Sequence, residues 1–206
     1  MRCLTDIAFF FNRSLKVIFS IKMKKAPSWI QEHRDSWEYR GQKRPSFAIA
    51  PTEGQESVWD YPRPPKITID QRQIIVKHGD TIIATTTRAF RITETASPPT
   101  YYIPQEDIDM SLLELVTGSS HCEWKGAAAY WDIILPATTF KNAAWSYPDP
   151  YEEFIDISNS ISFYPAVLDC YIDDEKVRPQ PGGFYGGWIT SEIVGPVKGE
   201  IPKASL

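Results

Sequence analysis

Cysteine, histidine and methionine are scarce in this 206-residue chain, at 3 residues each. Cys3, Cys122 and Cys170 cannot build a disulfide framework, and none stands in a Cys-x-x-Cys pair of the kind zinc sites use. Reduced thiols and a cytoplasmic location are therefore expected, with no metal site and no cofactor. Long apolar runs are also missing. Residues 7–11 and 15–21 are apolar, but Asn12, Arg13 and Ser14 split them, and neither half can span a bilayer. No Ala-x-Ala-like cleavage site follows, so stable membrane insertion is not expected. Residues 1–22 read as an extension with no folded role, Met23 serving equally well as a start, or else as a membrane-surface amphipathic arm.

Positive charge is sparse where a nucleic-acid surface would need it. The net charge is −4, yet residues 1–50 hold 10 Lys/Arg against 4 Asp/Glu, whereas residues 51–206 hold 12 against 22. Each neutralised phosphate needs a Lys or Arg, and those of the acidic body are scattered singly, so nucleic acid is excluded as a partner. The expected partner is a small molecule or a protein, with homodimerisation left open.

What is abundant points to a β domain. The chain carries 17 Pro and 11 Gly, which leave little room for long helices, and aromatics make up 13%. Residues 1–56 read as a basic, poorly ordered arm with one short helix near 28–39, and residues 57–206 as a single β domain. The clearest local signal is Gln73-Ile74-Ile75-Val76-Lys77-His78, then Gly79-Asp80, then Thr81-Ile82-Ile83-Ala84-Thr85. Two β-branched runs around Gly-Asp predict a hairpin on a type II′ turn. Further strands are expected at 88–95, ended by Pro98-Pro99, and at 101–103, 121–124, 127–135, 140–145, 161–164 and 167–172. Ile108, Leu112 and Leu115 share one helical face, which predicts a short amphipathic helix over 104–116. Residues 179–188 read as a compact loop whose aromatics need cover.

Several of these residues together resemble the domain of unknown function 427 family. The pieces are Arg91, Glu94-Thr95, Pro98-Pro99-Thr100-Tyr101-Tyr102-Ile103-Pro104, Asp107, Cys122, Lys125-Gly126, Tyr130-Trp131, Ala143-Ala144-Trp145-Ser146-Tyr147-Pro148 and Phe163-Tyr164. The resemblance covers about residues 67–168, with 169–206 as a C-terminal flank, and residues 58–65 and 179–199 look like those of a longer subgroup. Its commoner Cys-Pro-Tyr-Lys-Gly segment reads Cys122-Glu123-Trp124-Lys125-Gly126 here. The resemblance implies a mainly β, β-tent-like domain of antiparallel sheets and no established activity. A nucleotidyltransferase label attached to such families predicts a Gly-Ser turn followed by an Asp-x-Asp/Glu pair; here Gly118-Ser119 precedes Asp132-Ile133-Ile134, and the second carboxylate is missing.

The densest chemistry-bearing segment is His121 to Lys125. Read as a strand, it puts Cys122 and Trp124 on one face and His121, Glu123 and Lys125 on the other. Cys122 is then the one weak candidate for a nucleophile, and a buried structural thiol is the expectation for it. For binding, Trp124, Trp145 and Trp188 with Tyr101 could line a cleft in which Arg91, Glu94 and Lys125 orient a ligand. The sequence thus indicates a small-ligand-binding or protein-interaction module, with a small-molecule enzyme as the alternative.

Overall fold

In a computed structural model, which describes residues 24–201, the chain is mainly β and carries one α-helix among the described residues, α1 (Ser28–Asp35). The strands are β1 (Glu56–Ser57), β2 (Lys66–Asp70), β3 (Ile74–His78), β4 (Thr81–Thr86), β5 (Ala89–Glu94), β6 (Ser97–Pro104), β7 (Leu113–Cys122), β8 (Gly126–Leu135) and β9 (Thr138–Ser146), followed by β10 (Ser160–Phe163), β11 (Asp169–Ile172), β12 (Glu175–Lys176), β13 (Arg178–Pro179), β14 (Trp188–Ile189) and β15 (Ile193–Val194). A seven-stranded antiparallel sheet has the order β2-β5-β6-β10-β9-β8-β7, and a four-stranded one β12-β11-β3-β4. Two short pairs complete the set: β13 with β14, antiparallel, and β1 with β15, parallel.

The β3–β4 hairpin closes on Gly79-Asp80 with His78 opposite Thr81. Gly79 has φ +56° and Asp80 stays at negative φ, as a type II′ turn requires. Strand alternation then divides the apolar residues between cores. Val76 and Ile83 of the smaller sheet meet Tyr101, Ile103, Ile133 and Phe163 of the larger one in the main core. Tyr102, one residue out of phase, joins Ile92, Trp124, Trp145 and Phe154 in a second core on the other face. A third core is stitched from both flanks. Val58 and Trp59 pack with Ile189, Ile193 and Val197, and Trp59 Nε1 donates to the Pro196 carbonyl at 2.9 Å.

Three local expectations are corrected. Residues 104–116 do not form a helix: two 3-10 turns, Gln105–Asp107 and Met110–Leu112, lead into β7. Ile108 bridges to Ala84, and Leu113 onward pairs with β8, so a long hairpin supplies the backbone partners a helix would have supplied internally. Pro98 and Pro99 lie inside β6 rather than after a strand. The β5–β6 register shifts between Ile92 and Glu94, and this bulge spares the ladder the donors that proline lacks. Of the loop aromatics at 179–188, Trp188 is buried and Tyr185 half-buried, but Phe184 is 67% exposed.

Residues 24–56, read from sequence as a poorly ordered arm, lie on the domain in the structure. Sparse apolar positions concealed how they attach, because the anchors are mostly polar. Ile30 is buried, and the guanidinium of Arg34 donates to the carbonyls of Glu123 (2.8 Å) and Trp124 (3.3 Å) and pairs with Glu153 at 3.1 Å. It also lies over the Trp124 ring, 4.9 Å from the centroid. The expectations for residues 1–22 and for Cys3 lie outside the described residues. No helix among the described residues is long and apolar enough to cross a membrane.

Because Arg34 satisfies two carbonyls of the β7–β8 turn, Arg34→Ala leaves them short of donors and should destabilise the chain by about 2–4 kcal/mol. Gln31→Ala, on the exposed side of α1, should stay within about 0.5 kcal/mol of wild type. Denaturant midpoints of the two variants check this; equal midpoints would return the segment to the status of a dispensable arm.

Candidate functional site

On the second face of the large sheet lies a cavity of about 620 Å³. Its floor follows from the pleat. Ile92 and Glu94 of β5 and Thr100 and Tyr102 of β6 point into it, so Arg91 and Tyr101 must point out of the opposite face. Trp145 and Tyr147 continue the wall, Tyr130 and Tyr164 extend it, and residues 184–187 of the C-terminal flank close over it.

Trp145 is fixed on three sides. Its Nε1 donates to the Tyr102 hydroxyl at 3.0 Å, the Tyr164 ring lies at a centroid distance of 4.4 Å, and the Gly186 backbone presses on the indole. A Cβ on Gly186 would sit 2.1 Å from Trp145 Cη2, so only glycine permits this approach. Gln180 pins the same loop, accepting from the Gly187 N–H at 3.2 Å while donating to the Lys198 carbonyl at 2.9 Å.

Glu94 anchors the charged part. Its Oε1 accepts from Arg63 Nη2 (3.1 Å) and Nε (3.3 Å) and from Lys198 Nζ (3.4 Å). Arg63 also donates to the carbonyls of Thr95 and Tyr39. Trp37 caps both cations, with Arg63 Cζ 3.6 Å and Lys198 Nζ 4.5 Å from its ring centroid, and donates its own N–H to Glu123 Oε1 at 3.2 Å. Burial alone would raise the pKa of Glu94, but Lys198, Lys125 and Arg63 together hold it below the usual carboxylate range.

Lys125 is arranged differently. Residues 123–125 are not strand, as the alternation argument assumed; they form the turn between β7 and β8, and Gly126, at φ +98°, closes it. Arg34 holds this turn from outside, and it delivers Lys125 to the cavity wall. The side chain is only 7% exposed. Among the described residues its ammonium makes no hydrogen bond and no ion pair within 4.0 Å; the ring centroids of Phe154 and Tyr147 lie 5.6 and 5.8 Å from it. Burial would lower its pKa, but Cys122, Tyr102, Glu94 and Glu123 raise it, so it remains an ammonium.

Of the sequence candidates, Glu94, Lys125 and Trp145 meet at the cavity. Trp124 is buried in the second core beneath Arg34, and Trp188 lies in the main core, its Nε1 bonded to the Phe163 carbonyl at 3.0 Å. Arg91 donates to Glu56 (2.8 Å) and to the hydroxyls of Tyr101 (3.2 Å) and Tyr61 (3.3 Å) on the opposite face. Arg72 joins there, paired with Asp70 and Glu192. Cys122 is half-buried at the end of β7, packed against the second core, and does not line the cavity. Asp132 binds Lys141 (2.6 Å) and the Asn142 N–H (2.8 Å), away from the cavity. Sequence reasoning missed Arg63, Trp37, Gln180 and Lys198, because each reaches the site through tertiary contacts that no local pattern encodes.

A family model described as NTP_transf_9, domain of unknown function (DUF427), matches residues 66–174. That is more than half of the chain, and the chain belongs to this family. No curated protein matches it.

Two measurements follow from the charges. Arg63→Met strips the close partner from a buried carboxylate and should cost about 3–5 kcal/mol, whereas Lys125→Met, which breaks no close pair, should stay within about 1 kcal/mol of wild type. Thermal or denaturant unfolding ranks them, and equal losses would refute the distinction between a spent and an unspent cation.

The pH dependence is set by groups shifted at both ends. Glu94 is held below its usual pKa, as are Glu56 and Asp70, where burial is opposed by Arg91 and Tyr61 and by Arg72 respectively. Their stabilisation is present above the ordinary carboxylate pKa and is lost as pH falls through the lower folded values. Tyr101 and Tyr102 are both pushed up to about 12, chiefly by burial. Their contribution is complete below the ordinary tyrosine pKa near 10 and disappears as pH rises toward 12. Melting temperature should therefore form a plateau at neutral pH with an acid and an alkaline fall, the alkaline one tracking tyrosinate absorbance.

Proposed function

We propose that this DUF427 member is a small-ligand-binding protein whose ligand rests its flat apolar part against the aromatic walls of the cavity and sets an acceptor group on Lys125. The observation that carries this reading is Lys125, a residue over nine-tenths buried that lines the cavity and whose ammonium makes no hydrogen bond among the described residues. A charge withdrawn from water is costly unless something accepts from it, and the side of Lys125 left open is the cavity. The volume of about 620 Å³ falls within the usual range for small-molecule sites, roughly 300–1,000 Å³. Trp37, Tyr102, Trp145 and Tyr147 offer the rigid amphipathic surface that such sites use. The enzyme alternative draws no support from the placement of Cys122 outside the cavity lining or from the engagement of Asp132 with Lys141.

A fragment screen followed by NMR tests the reading. Aromatic hits should shift the indole N–H signals of Trp37 and Trp145, and Gly186→Ala, whose new Cβ displaces Trp145, should weaken them by about tenfold or more. The melting temperature of Gly186→Ala controls for folding. Hits that leave both indole signals unmoved, or that bind Gly186→Ala as well as wild type, would overturn the assignment of the cavity.

A further inference from the structure

The geometry points to an aromatic acid bearing a single negative charge as the ligand class, with polyphosphates rejected; this rests on the small-ligand reading above. Among the described residues four charged side chains line the cavity, two of each sign, and one more cation stands behind them. Lys125 comes from the β7–β8 turn, Lys198 from the C-terminal flank, Glu94 from β5 and Glu123 from the same turn as Lys125, with Arg63 directly behind Glu94. Glu94 already engages both Arg63 and Lys198, and Trp37 covers those two cations. Among the described residues Lys125 is left as the cation without a close counter-charge, and the four lining groups counted together with Arg63 carry one excess positive charge. A monoanion neutralises it. A neutral ligand leaves the excess in place, and a dianion or triphosphate overshoots while facing the Glu94 and Glu123 carboxylates.

The devices that recognise phosphate are occupied elsewhere. Among the described residues the guanidinium beside the cavity, that of Arg63, turns its fork to Glu94 and the carbonyl of Thr95, so it cannot grip a phosphate bidentately. The glycine pair at 186–187 offers no cradle of free N–H groups either, since the Gly187 N–H is bonded to Gln180. What remains is a single ammonium among rings, which suits a carboxylate on a planar apolar body. Lysine, a compact donor, sets no demand for a planar two-oxygen fork and leaves the orientation of the acid to the aromatic walls.

Three naphthyl ligands of similar shape and different charge, 2-naphthoate, 2-naphthamide and 2-naphthyl phosphate, together with ATP as the polyphosphate, test this on the full chain at neutral pH. Titration calorimetry or the Trp37 and Trp145 indole signals read the affinities. 2-Naphthoate should bind about tenfold or more tightly than either 2-naphthamide or 2-naphthyl phosphate, and ATP should be weakest. In Lys125→Met the ratio of naphthoate to naphthamide affinity should collapse to about one, while Lys125→Arg should restore much of it. Equal or tighter binding of the phosphate or of ATP would overturn the single-charge assignment, as would equal binding of acid and amide to wild type. Amide binding in the cavity without acid binding would sink this inference and leave the small-ligand reading standing. Failure of every naphthyl compound to bind would sink both.

Discussion

The carboxylate of Glu94 is the point on which the rest of this molecule turns. It sits at the end of β5, in the part of the chain that the family model matches, yet its partners Arg63 and Lys198 both come from outside residues 66–174. A carboxylate taken from water is costly, and one cation close by rarely offsets the cost; here two do, with Trp37 stacked over both. Both flanks are therefore placed by the same charge. The N-terminal flank must bring Arg63 and Trp37 to it, the C-terminal flank must bring Lys198, and the parallel β1–β15 pair and the third apolar core form where the flanks meet. Apolar packing alone is tolerant of small slips, but a buried ion pair is not, so the cluster sets a register that the hydrophobic contacts can then fill.

Much of the fold was legible because it is local. The Gly79-Asp80 turn, the β-branched runs on either side of it and the strands at 126–135, 138–146 and 160–163 follow from residue type and alternation. The segment 104–116 was not legible, since Ile108, Leu112 and Leu115 satisfy a helical period while Leu113 and Leu115 satisfy a strand period equally well. What decided between them was the long pairing of β7 with β8, a contact that short-range patterning does not contain. Pro98 and Pro99 misled for the converse reason: a bulge makes a strand tolerate them, and bulges leave little trace in sequence.

The lining of the cavity was legible in part, and the placing of Arg91 in one cleft with Glu94 and Lys125 was avoidable. Residues 91 and 94 have opposite parity on one strand, as have 101 and 102 on its neighbour, so alternation alone separates Arg91 and Tyr101 from Glu94 and Tyr102. On the outer side Arg91, Arg72, Glu56, Asp70 and the Tyr101 hydroxyl satisfy one another. Their part is to tie β2, β5 and the N-terminal flank together. Lys125 differs from the cations of that network, Arg91 and Arg72, because it makes no ion pair among the described residues. Its segment offered a signal that strand logic concealed, since Glu123-Trp124-Lys125-Gly126 ends in a glycine at positive φ and is a turn.

Outside and inside are coupled through that turn. Arg34 of α1 holds the carbonyls of Glu123 and Trp124, while the Tyr151 N–H donates to the carbonyl of Lys125 at 3.3 Å, so three consecutive backbone acceptors of the turn are bound from the side away from the cavity. The Lys125 side chain inherits its direction from this backbone clamp and not from a counter-ion, which is how an ammonium can be buried, charged and still unspent. A chain reduced to residues 66–174 would lack Arg34, Arg63, Trp37 and Lys198 together. Glu94 would then have neither of its two close cations, the turn would lose the Arg34 half of its clamp, and Trp145 would lose the Gly186 backbone packed on its indole. The matched segment supplies the sheet, but the cavity on its second face is completed by the two flanks docking onto it.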